Sequence, residues 1–527
     1  MLEFKVKKAM QKTKFNKHWQ FCVGSCHAAM AMRTDYIKQL KKVHDELGMQ
    51  YVRFHGIFCD DMKTLQNMTN VIPLPGGERF KEQSFHRCGI VYDNILEIGM
   101  KPFVELSFMP NELAKEPTSP NANFYGSNFN MPADFSRWVS YVQDFILYLL
   151  HRYGKEEVRT WYFEVWNEPD LQGSFFNGTQ EDYFKLYEIT AKAIKEIDSD
   201  LLVGGPATSG SRWIRELVEH CKKHRIPLDF VSTHQYAGDP LIGVSEPGSL
   251  DEERPKEKLA QARKLLDQLP ETMSPLEVLR LIFEDPSEKE KIKYGVFPNN
   301  ARLVKEQAQG LPVFYTEWNT SAIFSSYTND TRKTAAYDVR AILDVERDVT
   351  GSSIWCFSDI FEELHQFTEE FHGGFGIQTL NGIAKPVYYA LQMLADAGDM
   401  RIDLGKEALS QEVGIAAFEK GREKQIMLFR HKMKQEELPR EKVYVEVEVD
   451  EKPQKVILKR IDENHCNPLR VWEEMDKPKD LNHAEINEII QKSRMYEEEM
   501  PYDYANGILS INADLGVNDV YFIKIEY

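Results

Sequence analysis

What the sequence has little of narrows its nature first. No stretch reaches the roughly 20 apolar residues that cross a bilayer. The opening "MLEFKVKKAMQKTKF" carries basic residues but no continuous apolar run, so it does not read as a secretory leader. Cysteine is sparse. The seven present (Cys22, Cys26, Cys59, Cys88, Cys221, Cys356 and Cys466) are odd in number, scattered, and form no C-x-x-C pair. That is the pattern of reduced thiols in a cytoplasmic protein, not of a disulfide framework. Positive charge is also short, with 65 Lys and Arg against 83 Asp and Glu for a formal net charge of −18. A nucleic-acid partner needs a basic face and is therefore disfavoured. An anionic substrate would need its own cationic pocket. What remains is a chain of 527 residues, 42% hydrophobic and 28% charged, enough for two or three soluble domains. Aromatic residues are plentiful at 12%, which suits stacking on flat apolar faces.

Eight short apolar runs punctuate the first 395 residues: "HWQFCVGS", "MQYVRFHG", "KPFVELSF", "TWYFEVWNEP", "LLVGGPA", "LDFVSTHQY", "PVFYTEWN" and "SSIWCFSD". Most are followed by a longer stretch of helical period, such as "RTDYIKQLKKVHDELG" and "EDYFKLYEITAKAIKEID". Buried parallel strands need covering helices and right-handed crossovers, so eight such units predict a closed (β/α)8 barrel of the TIM type over residues 15–395. An open doubly wound sheet is the alternative. It would usually carry a Gly-rich phosphate turn after its first strand, and "VGSCHAAM" lacks that spacing. After residue 395 the period changes to two, in "KVYVEVEVDEKPQKVILKRI" and the closing "GILSINADLGVNDVYFIKIEY". This predicts an antiparallel β-sandwich over 396–527, interrupted by a helical piece. The alternating residues 1–14 are expected to add a strand to it. Residues 240–310, rich in proline and charge, are too long for an ordinary loop. They read as the sixth helix plus an insertion at the barrel mouth, a lid or the contact of a homo-oligomer.

In such barrels reactive groups collect where the strands end. Here those ends would carry His55, Glu105, Asn167 with Glu168, His234 with Tyr236, Glu317 with Trp318, and Trp355 with Asp359. Glu168 is expected as the last side chain of the fourth strand, since Pro169 cannot continue the ladder. Glu168 and Glu317, from strands four and seven, would face each other across the barrel. Cleaving a glycosidic bond takes one carboxylic acid to protonate the departing oxygen and one carboxylate across the ring. Beside Trp166, Glu168 is the better acid, because desolvation raises a carboxyl pKa. Glu317, among hydroxyl and amide donors in "TEWN", is the better anion. Carboxyls about 5–5.5 Å apart would give retention of configuration.

With those residues in view, "VWNEPDL" and "VFYTEWNTS" resemble the acid/base and nucleophile motifs of clan A glycoside hydrolases. "YVRFHGIFCDDM", "FVSTHQYAGDP", "WCFSDIFEE", "FHGGFGIQTLNGIAKPVYYAL" and "KRIDENHCNPLRVWEEM" are similar to the β-xylosidase branch of family 39. The likeness runs from near Lys14 into the sandwich. It implies a retaining β-xylosidase that releases xylose from short xylo-oligosaccharides by double displacement, needing no cofactor and no metal. It further implies Glu168 as acid/base, Glu317 as nucleophile and Asn167 as the holder of the sugar 2-hydroxyl. His55, His234, Tyr236 and Trp355 match positions lining the −1 subsite, and Glu362 or Glu363 matches one that reaches ring hydroxyls. Asp170 and Trp318 depart from the common asparagine and tyrosine.

Plainer readings stand beside these. Glu168 is also explicable as a structural carboxylate and Asn167 as a turn-satisfying amide. His55 and His234 lack the spacing of metal ligands. Trp355 fits a core position as well as a sugar platform, and Glu105 reads as a structural residue paired with a cation. "HGGFG" is a backbone turn without the lysine or helix start of a phosphate site. Alternatives for the whole chain are a retaining glycosidase for a glucoside, galactoside, arabinoside or iduronide, or a non-catalytic sugar-binding protein on a degenerate barrel. No membrane partner is expected.

Overall fold

The computed structural model describes residues 2–70, 72–117, 123–242, 295–323, 326–363, 369–405, 412–432 and 438–527, with short pieces between 264 and 281. Eight parallel strands close into a barrel in chain order. They are β1 Cys22–His27, β2 Tyr51–His55, β3 Lys101–Leu106, β4 Tyr162–Val165, β5 Leu202–Thr208, β6 Phe230–Tyr236, β7 Val313–Asn319 and β8 Gly351–Ile354. One long helix follows each: α1 Thr34–Leu47, α2 His86–Glu97, α3 Phe135–Tyr153, α4 Gln180–Ile197, α5 Ile214–His224, α6 Val296–Gln307, α7 Arg332–Val345 and α8 Pro386–Asp396. Their ends follow local chemistry. Asp134 accepts from the Ser136 and Arg137 N–H groups to start α3, Thr179 and Asp182 form a capping box on α4, and Gly48 at φ 76° stops α1.

Strand side chains alternate between the interior and the helices, so residues two apart fill successive interior layers. The lowest layer is an aromatic plug. Cys22, Phe103, Phe230 and Phe314 are buried there with Phe21, Tyr51 and Tyr162 packed against them. Two residues along from Tyr51, Phe103 and Tyr162 stand Arg53, Glu105 and Glu164, a charged middle layer. His55 lies two further on. This stacking makes the barrel floor dry and its upper end polar.

Of the 240–310 insertion, residues 243–263 and most of 265–294 lie outside the described residues, and its C-terminal part is α6. The C-terminal region forms two sheets. In one, Leu2–Val6 pairs in parallel with Glu441–Glu448, which pairs antiparallel with Ile508–Leu515. In the other, Lys12–Lys14 pairs with Met400–Ile402 at one edge, and Glu423–Arg430, Val520–Glu526 and Lys455–Ile461 lie toward the opposite edge. Their facing side chains, among them Ile415, Ile426, Val445, Ile511 and Ile523, make a separate apolar core. Among the described residues no helix is long and apolar enough to cross a membrane.

Candidate active site

The fourth strand stops earlier than the sequence reading placed it. β4 ends at Val165, and Glu168 lies three residues on, in a turn whose Trp166 and Glu168 both have left-handed backbones (φ 75° and 43°). Tertiary contacts hold this unusual turn. Trp166 Nε1 donates to the Phe175 carbonyl at 2.8 Å, and the Glu168 N–H donates to the Ala207 carbonyl at 2.8 Å. Ala207 is itself an extra residue in β5. The β5–β6 register skips from Pro206 opposite Ser232 to Thr208 opposite Thr233. A second bulge re-aims Glu317. The β6–β7 register runs from Thr233 opposite Tyr315 to His234 opposite Glu317, so β7 gains one residue there. Tyr315 and Trp318 then face outward onto Phe297 of α6, while Glu317 turns inward.

The two carboxyls meet. One oxygen of Glu168, one of Glu317 and a ring nitrogen of His234 all lie within 4.8 Å of one another. Their surroundings differ in kind. Glu317 Oε1 accepts from Arg53 Nη1 at 2.8 Å, and its Oε2 accepts from the Tyr236 hydroxyl at 3.0 Å. Among the described residues the Glu168 carboxyl has one hydrogen-bond partner, His234 Nδ1, 2.9 Å from Oε1. Burial pushes the Glu168 carboxyl up to about 8, assisted by the negative charge of Asp170 and opposed by His55, Arg53 and Arg212. Burial also drives His234 down to about 4, so its imidazole is neutral at neutral pH. Burial would do the same to His55, but Glu105, Glu363 and Glu317 outweigh it and hold His55 up at about 9. The closeness of Glu168, His234 and Glu317 would suit a cation too. Here Glu317 already faces the Arg53 guanidinium and His234 is bonded to Glu168, so the set is internally paired. The donors of His27, Cys59 and Asp61 come equally close, with His27 Nε2 taken by Asp61 at 2.9 Å.

The sequence reading passed over Arg53 and Glu164. Arg53 is fully buried and donates Nε to Glu164 at 2.6 Å and Nη2 to Asn167 Oδ1 at 2.8 Å, besides its bond to Glu317. Its Nη2 also lies 2.7 Å from Glu105 Oε2. Glu105 thus pairs with Arg53 and, at 2.8 Å, with His55 Nδ1. Burial would raise Glu105, yet Arg53 and His55 outweigh it and lower its pKa. The available signal was a charged residue at an interior position of an apolar run, in "YVRFHG" and "WYFEVW". Because Arg53 only donates, Asn167 must turn its carbonyl oxygen to it, which aims the amide NH2 away. That Nδ2 is buried without a partner among the described residues, as are His234 Nε2 and Glu363 Oε1.

The remaining candidates divide. Trp355, just past β8, packs its ring 4.7 Å from that of His55. Glu362 turns away into an ion pair with Arg33, whereas Glu363 is buried and pushed up to about 8, chiefly by desolvation, against the pull of His55. Trp318 leaves the barrel interior. Asp359 is tied to Lys385 at 2.7 Å and to the Gly376 N–H at 2.8 Å, which makes it part of the loop scaffold.

Two buried carboxyls in unlike surroundings, brought together at the strand ends of a (β/α)8 barrel, define a glycosidase class of protein. The family model of glycosyl hydrolases family 39 matches residues 2–285 and 280–506, and the chain belongs to that family; it is a glycoside hydrolase. It is 38% identical over 506 residues to a beta-xylosidase of Caldicellulosiruptor saccharolyticus, covering 96% of this chain and 94% of that one. A beta-xylosidase of Geobacillus stearothermophilus is 31% identical over 525 residues, covering 97% and 93%. Among solved structures, a GH39 beta-xylosidase from Caulobacter crescentus matches with TM-score 0.76 and 26% identity over 100% of both chains.

Proposed function

We propose that the protein is a retaining β-xylosidase in which Glu168 is the acid/base and Glu317 the nucleophile. The observation that carries this reading is the pair of buried carboxyls within 4.8 Å in opposite environments. Glu168, with its pKa near 8, holds a proton at neutral pH for the departing oxygen. Glu317, fixed by Arg53 and Tyr236, presents an oxygen to the anomeric carbon. In the first step Glu317 forms a bond to that carbon as the bond to the leaving oxygen breaks and Glu168 gives up its proton. In the second, Glu168 takes a proton from water, whose oxygen displaces Glu317. The short separation leaves no room for a water between carboxylate and sugar, as inversion would require. The free NH2 of Asn167 is placed to donate to the sugar 2-hydroxyl, and Glu363, not Glu362, to engage ring hydroxyls. His55, His234, Tyr236 and Trp355 would line the same subsite.

Relatives named beta-xylosidases that span nearly the whole chain support xylose as the sugar. A uronate such as iduronide would need a spare cation, and Arg53 is already committed to Glu105, Glu164, Glu317 and Asn167. We also infer a cytoplasmic location, supported by seven cysteines that are all free and buried. Azide rescue tests the roles. Glu317→Ala with azide should yield a glycosyl azide of inverted anomer, and Glu168→Ala one of retained anomer. The opposite pattern would exchange the assignments, and no turnover of nitrophenyl xyloside, glucoside, galactoside or arabinoside by the parent would end the proposal.

A further inference from the structure

The turn that carries Glu168 carries a second carboxyl two residues later. Asp170 has a side chain only 1% exposed. Its Oδ1 accepts from the Ser209 N–H at 2.9 Å and its Oδ2 from the Ser209 hydroxyl at 2.9 Å. Arg212 Nη2 lies 2.6 Å from the same Oδ2 and keeps its own side chain 38% exposed. The Ser209 and Arg212 partners lie in the loop that directly follows β5, the strand whose Ala207 carbonyl anchors the Glu168 backbone. Asp170 is therefore not a free surface acid. It is clamped against the strand that fixes the acid/base.

We propose that Asp170 is a positioning residue that sets the upper pH limit of the reaction by keeping the proton on Glu168, with Arg212 as its counterweight. The inference rests on the reading of Glu168 as the acid. A fixed anion beside a carboxyl disfavours its ionised form, and a cation favours it; in a dry site both act over several ångströms. Around Glu168 the charged and titratable groups are Arg53 and His55 from β2, Asp170 from its own turn, and Arg212 after β5. Among the described residues, His234 and Tyr236 of β6, Asp239 beyond it, and Glu317 of β7 also face Glu168. Of the neighbouring charges, Asp170 contributes most to raising Glu168, and Arg212 is among those that oppose it. Asp239, pushed up to about 7 chiefly by burial, is fixed by the Tyr236 N–H at 2.6 Å. Around Asp170 itself stand Arg212, Asp239 and the buried Tyr183 of α4, whose hydroxyl donates to the Val165 carbonyl at 2.9 Å. Asp170, on the acid's own turn, and Arg212, in the loop after β5, thus form an ion pair whose members have opposing effects on one proton.

The test is the pH profile of kcat/KM for the parent, Asp170→Asn and Arg212→Gln, on xylobiose and on 2,4-dinitrophenyl xyloside. Asparagine keeps an acceptor for the Ser209 N–H and removes only the charge. On xylobiose, the Asp170→Asn basic limb should fall by about half a pH unit or more, so that the loss grows as pH rises. Arg212→Gln should move the limb the other way, because a lost cation lets the carboxyls keep protons longer. This arm stands even if the first variant does not fold. With the dinitrophenyl leaving group, which needs no proton, the Asp170→Asn loss should shrink to about twofold. An unmoved basic limb in both variants, or an Asp170→Asn loss equal at all pH values and for both substrates, would overturn the proposal. Glu168→Gln serves as the control. If it spares the dinitrophenyl substrate while Asp170→Asn leaves the limb in place, only the role of Asp170 fails. If it damages both substrates alike, the acid assignment fails with it.

Discussion

Arg53 donates to three carboxylates and one amide from a position with no solvent exposure. Burying a guanidinium is costly, and the cost is offset where its nitrogens meet acceptors, as all three do here. The cluster serves orientation: one rigid fork fixes the nucleophile candidate, the amide beside the acid and two supporting glutamates. His55 gives this network a pH signature. Its pKa is raised from 6.5 to about 9, so its pairing stabilises the fold fully below pH 6.5, less as the unfolded imidazole deprotonates, and not at all beyond about 9. Glu105 is lowered, so its share is present above the ordinary carboxyl range and is lost in acid. The stability gap between the parent and His55→Gln should accordingly be constant from pH 5 to 6.5 and narrow steadily toward pH 9 in denaturant titrations. A gap that widens over that range would contradict the pairing described. Glu168 and Glu317 stood out in the sequence because strand-end motifs expose them. Arg53 did not, because a lone arginine in an apolar run looks the same whether or not three acids await it.

At the scale of elements, the eight strand–helix units were legible because a period of two and a period of 3.6 leave different marks on apolar residues. The bulges were not. Nothing in "LLVGGPAT" or "VFYTEWN" shows that Ala207 or the Thr316–Glu317 step will fall out of register, since that depends on where neighbouring strands place their own hydrogen bonds. The left-handed turn through Trp166 and Glu168 is hidden for the same reason: contacts with Phe175 and Ala207 impose it. Close approach of β1 to β8 supplies a test. A Cβ on Gly24 would sit 2.6 Å from Trp355 Cε3 and 2.9 Å from the Ile354 carbonyl oxygen. Gly24→Ala should push the indole toward His55, destabilise the fold by about 1–3 kcal/mol and raise KM more than it lowers kcat. Thermal melts and steady-state kinetics would check this; a KM equal to the parent's would show that Trp355 does not shape the subsite.

Over the whole molecule, the barrel's core extends onto the outer face of the large sheet, while the sandwich keeps its own interior between the sheets. Phe418, Met427, Phe429 and Phe522 from the large sheet pack in the same cluster as Val339, Ile342, Leu391 and Leu394 of α7 and α8. Phe15, between the N-terminal strands and β1, touches Phe418 with ring centroids 4.8 Å apart. The helices Pro468–Glu474 and His483–Ser493 add a small cluster with Phe371 and Ile383, near the loop that bears Asp359. Units joined by continuous apolar packing lose their separate stability. Calorimetry should therefore show a single transition for barrel and sandwich, and activity should vanish within it. Two resolved peaks, with activity surviving the first, would show that this packing does not couple them.

By itself the sequence determined the barrel, the sandwich and the two glutamate motifs, because alternation, turn residues and strand-end carboxyls are local patterns. Only the tertiary structure decided the partners of those glutamates: that Arg53 and Tyr236 hold Glu317, that burial near Asp170 pushes Glu168 upward, and that Glu362 turns to Arg33 while Glu363 stays buried. Ionisation and orientation depend on charges brought close from strands far apart in the chain, and no local pattern records those distances.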